Sequence, residues 1–239
     1  MTQIVRTHDA FYLNENRYKE PKELHKLIIG AMADSVGDGD VIADFGCAAG
    51  EFPFALRARF PDAVVEGYDL LPELIAKAKR EVPGVDFFVG SITDPNLCAL
   101  AHVDYALCTG VLQIFDAFEP IIDNLLRWTK PGGVVFLHGL FNNFPIDVNV
   151  KYSLSESYGS GVLEPGWNVV AKQTVSRWLE SRADVDAASF TDFSISIDLA
   201  PQSDPVRSWT MLDDRGQRHI VNGLGLIQPH SILRIDKKH

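Results

Sequence analysis

From Val41 to Leu140 the chain alternates short apolar runs with amphipathic ones, and few architectures accept that alternation. Val41–Phe45, Ala63–Leu70, "VDFFVGSI", "VDYALCTG" and "PGGVVFLHGL" are too short and too apolar for surface helices. They read as strands buried on both faces. Between them, Phe52–Arg59, Pro72–Glu81 and "FEPIIDNLLRWTK" carry helical spacing. Ahead of them, "EPKELHKLIIGAMADSV" puts Leu24, Leu27, Ile28, Ala31 and Met32 on one helical stripe. Strands alternating with helices predict an α/β, doubly wound, mostly parallel sheet covered on both faces.

The pattern changes after Leu140. Residues 141–167 are polar, rich in turn formers and too long for an ordinary connection, so they are expected to cap the open end of the sheet. A helix ("AKQTVSRWLESR"), a strand ("FTDFSISIDL"), a hairpin turning at Asp214–Gly216 and a last strand ("HSILRI") follow. One domain over 1–239 is predicted: an N-terminal lid and helix (1–36), a ligand-binding core (37–140), a cap insertion (141–172) and a C-terminal helix with strands (173–239).

Charge narrows the partners. The net charge of −10 offers no basic stripe for phosphates, and the only basic cluster is the tail Lys237–His239. Nucleic acid is therefore disfavoured. No run approaches the apolar length of a membrane span, and the first residues lack the signal-peptide pattern, so a cytoplasmic protein without a membrane partner is expected. Cys47, Cys98 and Cys108 are odd in number and lack CxxC spacing, which favours neither disulfides nor a metal site.

The stretch "VIADFGCAAGEF" turns tightly from strand to helix. A dinucleotide fingerprint counted from Gly46 needs glycines where Ala48 and Glu51 stand. A P-loop needs Lys-Ser/Thr after Gly50, where Glu51 would repel phosphate. What survives is the acid Asp44, a loop from Gly46 to Gly50 and helix-start amides suited to one carboxylate. Asp69 closes the second strand, where an acid hydrogen-bonds ribose hydroxyls. A ligand with ribose and a carboxylate but no pyrophosphate fits, and S-adenosylmethionine has that composition.

Here the sequence resembles the class I S-adenosylmethionine-dependent methyltransferases, from about Val41 to Leu140. "DFGCAAG" is similar to the family's acidic-x-Gly-x-Gly-x-Gly loop with Ala48 at the middle glycine. Asp69 in "EGYDL" matches the ribose-binding acid, and "GSITD" the segment whose Ser91 and Ile92 flank adenine. "VDYALCTGVLQIF" sets Thr109 and Gly110 near the methyl donor, and "LLRWTKPGGVVFL" matches the following helix, turn and fifth strand. The resemblance implies a seven-stranded, Rossmann-like sheet with an antiparallel final strand. It implies S-adenosyl-L-methionine as cofactor and S-adenosyl-L-homocysteine as product. The expected donor site is Asp44, Gly46, Cys47, Ala48, Gly50, Asp69, Leu70, Ser91, Ile92, Thr109 and Gly110. Family members often fold an N-terminal segment over the donor, so Tyr12 or Arg17 in Phe11–Tyr18 is expected to hold its carboxylate. Structural roles stay open: Gly46 and Gly50 can merely shape a turn, Asp69 can cap a helix, and Cys47 can fill space.

Methyl transfer from a sulfonium needs a base only when the acceptor must shed a proton. His138 and Asn142, after strand five, are the first catalytic candidates, with Asn143 and Gln113 beside them and His219 behind. The Asn-Pro-Pro-Tyr signature of nucleobase and glutamine amino methylation is missing, as is the acidic cluster of metal-dependent catechol enzymes. The expectation is O- or N-methylation of a small molecule, without a metal, by a monomer or homodimer. An inactive donor-binding module or an NAD(P)-dependent reductase are the alternatives.

Overall fold

The computed structural model describes residues 12–202 and 204–239. In chain order its elements are α1 (Glu23–Met32), β1 (Val41–Phe45), α2 (Glu51–Arg59), β2 (Val64–Asp69), α3 (Pro72–Glu81), β3 (Asp86–Val89), β4 (Val103–Thr109), α4 (Glu119–Trp128) and β5 (Thr129–Asn142). There follow β6 (Lys151–Tyr152), β7 (Glu164–Pro165), β8 (Val170–Ala171), α5 (Lys172–Glu180), β9 (Val185–Asp192), β10 (Ser208–Leu212), β11 (Arg218–Asn222) and β12 (His230–Lys237).

Seven strands lie in the order β3-β2-β1-β4-β5-β12-β9, and the short β8 pairs with the end of β5. The strands β1 to β5 run parallel, whereas β12 is antiparallel to both β5 and β9. This is the mostly parallel, doubly wound sheet with an inserted antiparallel strand that the sequence leads one to expect. Period-two alternation explains why the strands look uniformly apolar. Ile42 packs on the α1–α2 face, while Ala43 and Phe45 pack on the α4–α5 face. Phe45 stacks between Tyr68 and Trp128, with ring centroids 4.8 and 4.6 Å away. Helix α3 starts on Pro72, carries Glu73 in its first turn and has Lys79 and Arg80 in its last turn, ahead of the terminal Glu81, so both turns hold charges complementary to the dipole.

Three local expectations are corrected. On α1 the buried residues are His25, Ile28 and Met32, while Leu27 is exposed, because His25 stacks flat on Phe52 at 4.2 Å. The strand expected at Phe190–Leu199 sits at Val185–Asp192, where β12 offers a pairing edge; Ile195 and Ile197 lie beyond it. The turn Lys130–Gly133 is the irregular start of β5, with Gly132 at φ +77°.

Residues 141–167, expected to cap the sheet, leave from the C-terminal end of β5 and carry the short β6–β7 hairpin. Phe144, Tyr158 and Leu163 are exposed. Asn168 stitches the returning chain down: its backbone N–H reaches the Gln113 carbonyl at 2.8 Å and its side-chain amide reaches that of Phe115 at 2.9 Å. Among the described residues, no helix is long and apolar enough to cross a membrane.

Candidate donor and acceptor cleft

A cleft opens at the C-terminal ends of β1, β2 and β4, where a parallel sheet leaves helix N-termini and loops facing one another. Its floor is the turn from β1 into α2. Gly46 has φ +92°, and a Cβ there would lie 2.3 Å from Val111 Cγ2. Gly50, at φ +84°, would meet Phe87 Cζ at 2.9 Å. Both positions need glycine for conformation and for space. Ala48 sits between them at φ +48°, a left-handed conformation that costs an L-residue energy.

Asp44, one residue before the end of β1, lies on the wall of the cleft. It is 1% exposed, and its Oδ1 has no hydrogen-bond partner among the described residues. Burial, then the facing Asp69 carboxylate, push its pKa up to about 8, with Lys22 opposing. A buried acid poised this way lacks a cation or N–H donor. Asp69 shapes the other wall: Oδ2 accepts the Ala48 N–H at 2.9 Å and Oδ1 accepts the Leu71 N–H at 3.0 Å. That second bond lies just ahead of α3, whose N-cap position is Leu71. Leu70, Ser91, Ile92, Thr109 and Gly110 also line the cleft. Cys47 lies against the loop, and burial, then the Asp44 and Asp69 charges, raise its thiol well above the usual range.

Tyr12 lines the cleft too, joined by Lys22, His25, Phe115, Trp167 and Arg207, which the sequence did not single out. The chain from Tyr12 to Lys22 is strapped across the rim. Lys77 Nζ donates to the carbonyls of Tyr12, Leu13 and Glu15 at 3.3, 2.9 and 2.5 Å. Tyr18 Oη donates to the Ala49 carbonyl at 2.8 Å, and the Arg17 N–H donates to Glu51 Oε1 at 2.6 Å. Glu51, read as the residue that spoils a dinucleotide fingerprint, thus anchors this strap. Phe11 lies outside the described residues.

Several predicted site residues lie elsewhere. The Arg17 side chain is not on the cleft wall; it is 47% exposed and faces Glu15. His138 is buried away from the cleft, its Nε2 2.9 Å from His230 Nδ1. Burial, then His230 and His25, hold its pKa well below 6.5, which makes it a poor base. Asn142 spends its side chain on the turn after β5, donating to the Ile146 carbonyl and accepting the Phe144 N–H. Gln113 is buried outside the cleft, and Asn143 borders a separate hollow beside His230. His219 pairs with Asp213 at 3.1 Å in the β10–β11 hairpin. Among the described residues, no cluster of three or more His, Cys, Asp or Glu suits a metal ion.

Comparison with known proteins agrees with this geometry. Residues 42–133 match the family described as Methyltransferase domain. A trans-aconitate 2-methyltransferase of Methylobacterium nodulans is 32% identical over 92 residues, covering 38% of this chain and 35% of that protein. The match therefore spans about a third of that relative's length. A chain from the complex of the Haloferax volcanii Trm112 methyltransferase activator with a methyltransferase superposes with a TM-score of 0.62 at 17% identity, covering 99% of this chain and 100% of that one. A SAM-dependent methyltransferase of Methanosarcina mazei gives 0.55 at 16% identity, covering 87% and 98%. The family match and the sheet order support a class I, S-adenosylmethionine-dependent methyltransferase domain over residues 42–133.

Proposed function

We propose that this chain transfers a methyl group from S-adenosylmethionine to a small-molecule acceptor by in-line displacement. The observation that carries the reading is Asp44: a buried acid with one oxygen unpartnered among the described residues, beside the glycine turn on the wall of the cleft. An ammonium group of the donor supplies what Asp44 lacks. Asp69 suits the ribose hydroxyls, and Leu70, Ser91 and Ile92 suit the adenine. The name of the Methylobacterium nodulans relative supports a small acceptor.

The donor, when bound, supplies an electrophilic methyl on a good leaving group. The protein's part is alignment and exclusion of water, and alignment alone is worth about 7–11 kcal/mol. The strap from Tyr12 to Lys22 and the rim residue Trp167 are suited to that task. A mass spectrum of the purified protein under native conditions tests the reading. Added S-adenosylhomocysteine is expected to be retained, and Asp44→Asn is expected to weaken that retention; a parent protein that holds none of it would defeat the proposal.

A further inference from the structure

We infer that the acceptor carries a planar aromatic ring and that Trp167 is the residue that recognises it. This rests on the methyltransferase reading above and adds the class of substrate and a specificity residue.

Trp167 lines the cleft and differs from two other tryptophans of the chain. Trp128 stacks on Phe45 with ring centroids 4.6 Å apart, and its Nε1–H donates to the Pro95 carbonyl at 3.2 Å. Trp178 meets Phe118 edge-on at 5.5 Å and holds the Arg182 guanidinium 4.7 Å from its ring centre. The partly buried side chain of Trp167 has neither a ring contact nor a hydrogen bond among the described residues. An indole face and N–H without partners on a cleft wall suit a flat ligand with a polar edge.

The position of Trp167 is fixed from both sides. The Gly166 N–H donates to the Val150 carbonyl at 2.8 Å, and a Cβ on Gly166 would lie 2.4 Å from Val150 Cγ1. Asn168, 5% exposed, accepts the Val150 N–H on Oδ1 at 2.8 Å. Its own N–H donates to the Gln113 carbonyl, and its side-chain amide to the Phe115 carbonyl and to Asp116 Oδ1 at 2.9 and 3.0 Å. Trp167 is thereby tied to the segment 111–116. That segment starts at the donor turn, because Val111 Cγ2 occupies the space where a Gly46 Cβ would stand. Val111, Ile114 and Phe115 line the cleft together with Trp167. The apolar wall thus runs on from the donor turn and is already ordered, so a ligand loses little by organising it.

Aromatic walls also receive cations. Here Lys22 and Arg207 already lie 5.4 and 4.6 Å from the centre of the Tyr12 ring, and all three residues line the cleft. Of the acids on the wall, Asp44 and Asp69 are assigned to the donor and Glu51 accepts the Arg17 N–H. A cationic acceptor would therefore meet like charge without a free acid, which favours an uncharged or anionic ring. A saturated ring offers a similar apolar body without the flat π face, so it forgoes the offset-stacked or edge-to-face contact with the indole.

The test is calorimetry on the protein saturated with S-adenosylhomocysteine. Phenols, anilines and benzoic acids are titrated beside their cyclohexyl counterparts, with tetramethylammonium as the cationic probe. At least one aromatic compound is expected to bind, about twofold to tenfold more tightly than its saturated counterpart. Trp167→Leu should remove that preference and weaken the aromatic compound by roughly tenfold, with S-adenosylhomocysteine binding unchanged. Trp167→Phe keeps a ring, controls for folding and should keep the preference. The bound ring should also change the tryptophan emission of the parent, and that change should vanish in Trp167→Phe. The inference is overturned if no aromatic compound binds, if saturated counterparts bind as well, or if tetramethylammonium binds more tightly. It is overturned too if the preference survives in Trp167→Leu or the emission change survives in Trp167→Phe. Equal weakening of S-adenosylhomocysteine in Trp167→Leu also overturns it, since Trp167 would then cover the donor. A parent protein that binds no S-adenosylhomocysteine defeats the methyltransferase reading instead.

Discussion

Asp69, the last residue of β2, accepts the backbone N–H of Ala48 at 2.9 Å, so the acid assigned to the ribose also fixes the glycine-rich turn beneath it. Its other oxygen takes the Leu71 N–H at 3.0 Å. Removing the side chain therefore disturbs loop and ligand together. Asp69→Ala is expected to cost about 1–3 kcal/mol of stability from the two unmet N–H groups, and to weaken S-adenosylhomocysteine by at least roughly tenfold. Asp69→Asn keeps one acceptor oxygen and should fall between. Melting curves and calorimetry on the same samples separate the effects; equal donor affinity in all three would leave Asp69 a structural residue only.

Ala48 holds a left-handed conformation at φ +48°. Glycine there removes about 1–2 kcal/mol of strain but adds about 0.5–1 kcal/mol of unfolded-state entropy. Ala48→Gly is therefore expected to be neutral or to stabilise by up to about 1 kcal/mol, with donor affinity retained. Gly46→Ala is the contrasting substitution, because its Cβ would strike Val111. It should destabilise the fold and abolish donor binding, as melting curves and a binding isotherm would record.

The turn from β1 to α2 was legible in the sequence because its determinants are local: an acid, glycines at two of its three positive-φ positions and a helix start within a dozen residues. The place of Asp69 on the cleft wall was legible for the same reason, since it ends the very next strand. Arg207 was not. It comes to the cleft only through the docking of a turn against Gly223, and nothing near Arg207 in sequence points toward Asp44. His25 was missed because its burial comes from stacking on Phe52 of another helix. His138 shows the converse: it is at the strand end where catalytic residues gather, but pairing with His230 turns it into the interior.

The pH dependence of stability follows from these buried groups. The pKa of His25 falls to about 3 and that of His230 to about 4, and that of His138 is well below 6.5. Groups lowered on folding contribute stability that is present above 6.5 and is lost as pH falls through the folded values. Asp44 is raised from 3.8 to about 8, so its contribution is present below 3.8 and is lost as pH rises through about 8. Below 6.5 the three histidines outweigh the one acid; above it Asp44 acts alone among these four. The melting temperature without ligand is expected to peak near pH 6.5, and Asp44→Asn should flatten the alkaline side.

Donor binding should also strengthen as pH rises toward 8, because a cationic group on the ligand favours the ionised form of Asp44. The thermal shift caused by S-adenosylmethionine should therefore be larger at alkaline pH in the parent. In Asp44→Asn this growth with pH should be lost. An identical pH response in both proteins would remove Asp44 from the donor site.

Hydrogen exchange with and without S-adenosylhomocysteine should distinguish the parts of the rim. Protection is expected to rise in the glycine turn, in Tyr12–Lys22 and around Trp167. The tip of the cap hairpin, with Tyr158 and Leu163 exposed, should exchange unchanged. Uniform protection along 141–167 would mean that the whole cap closes.

The central claim is that the cleft takes a sulfur nucleoside and not a dinucleotide. Titration calorimetry of the purified protein with S-adenosylmethionine, S-adenosylhomocysteine and NADH tests it most directly. The account predicts that both sulfur nucleosides bind in the micromolar range, about −8 kcal/mol, with NADH silent. Heat from NADH with none from either sulfur nucleoside would contradict it.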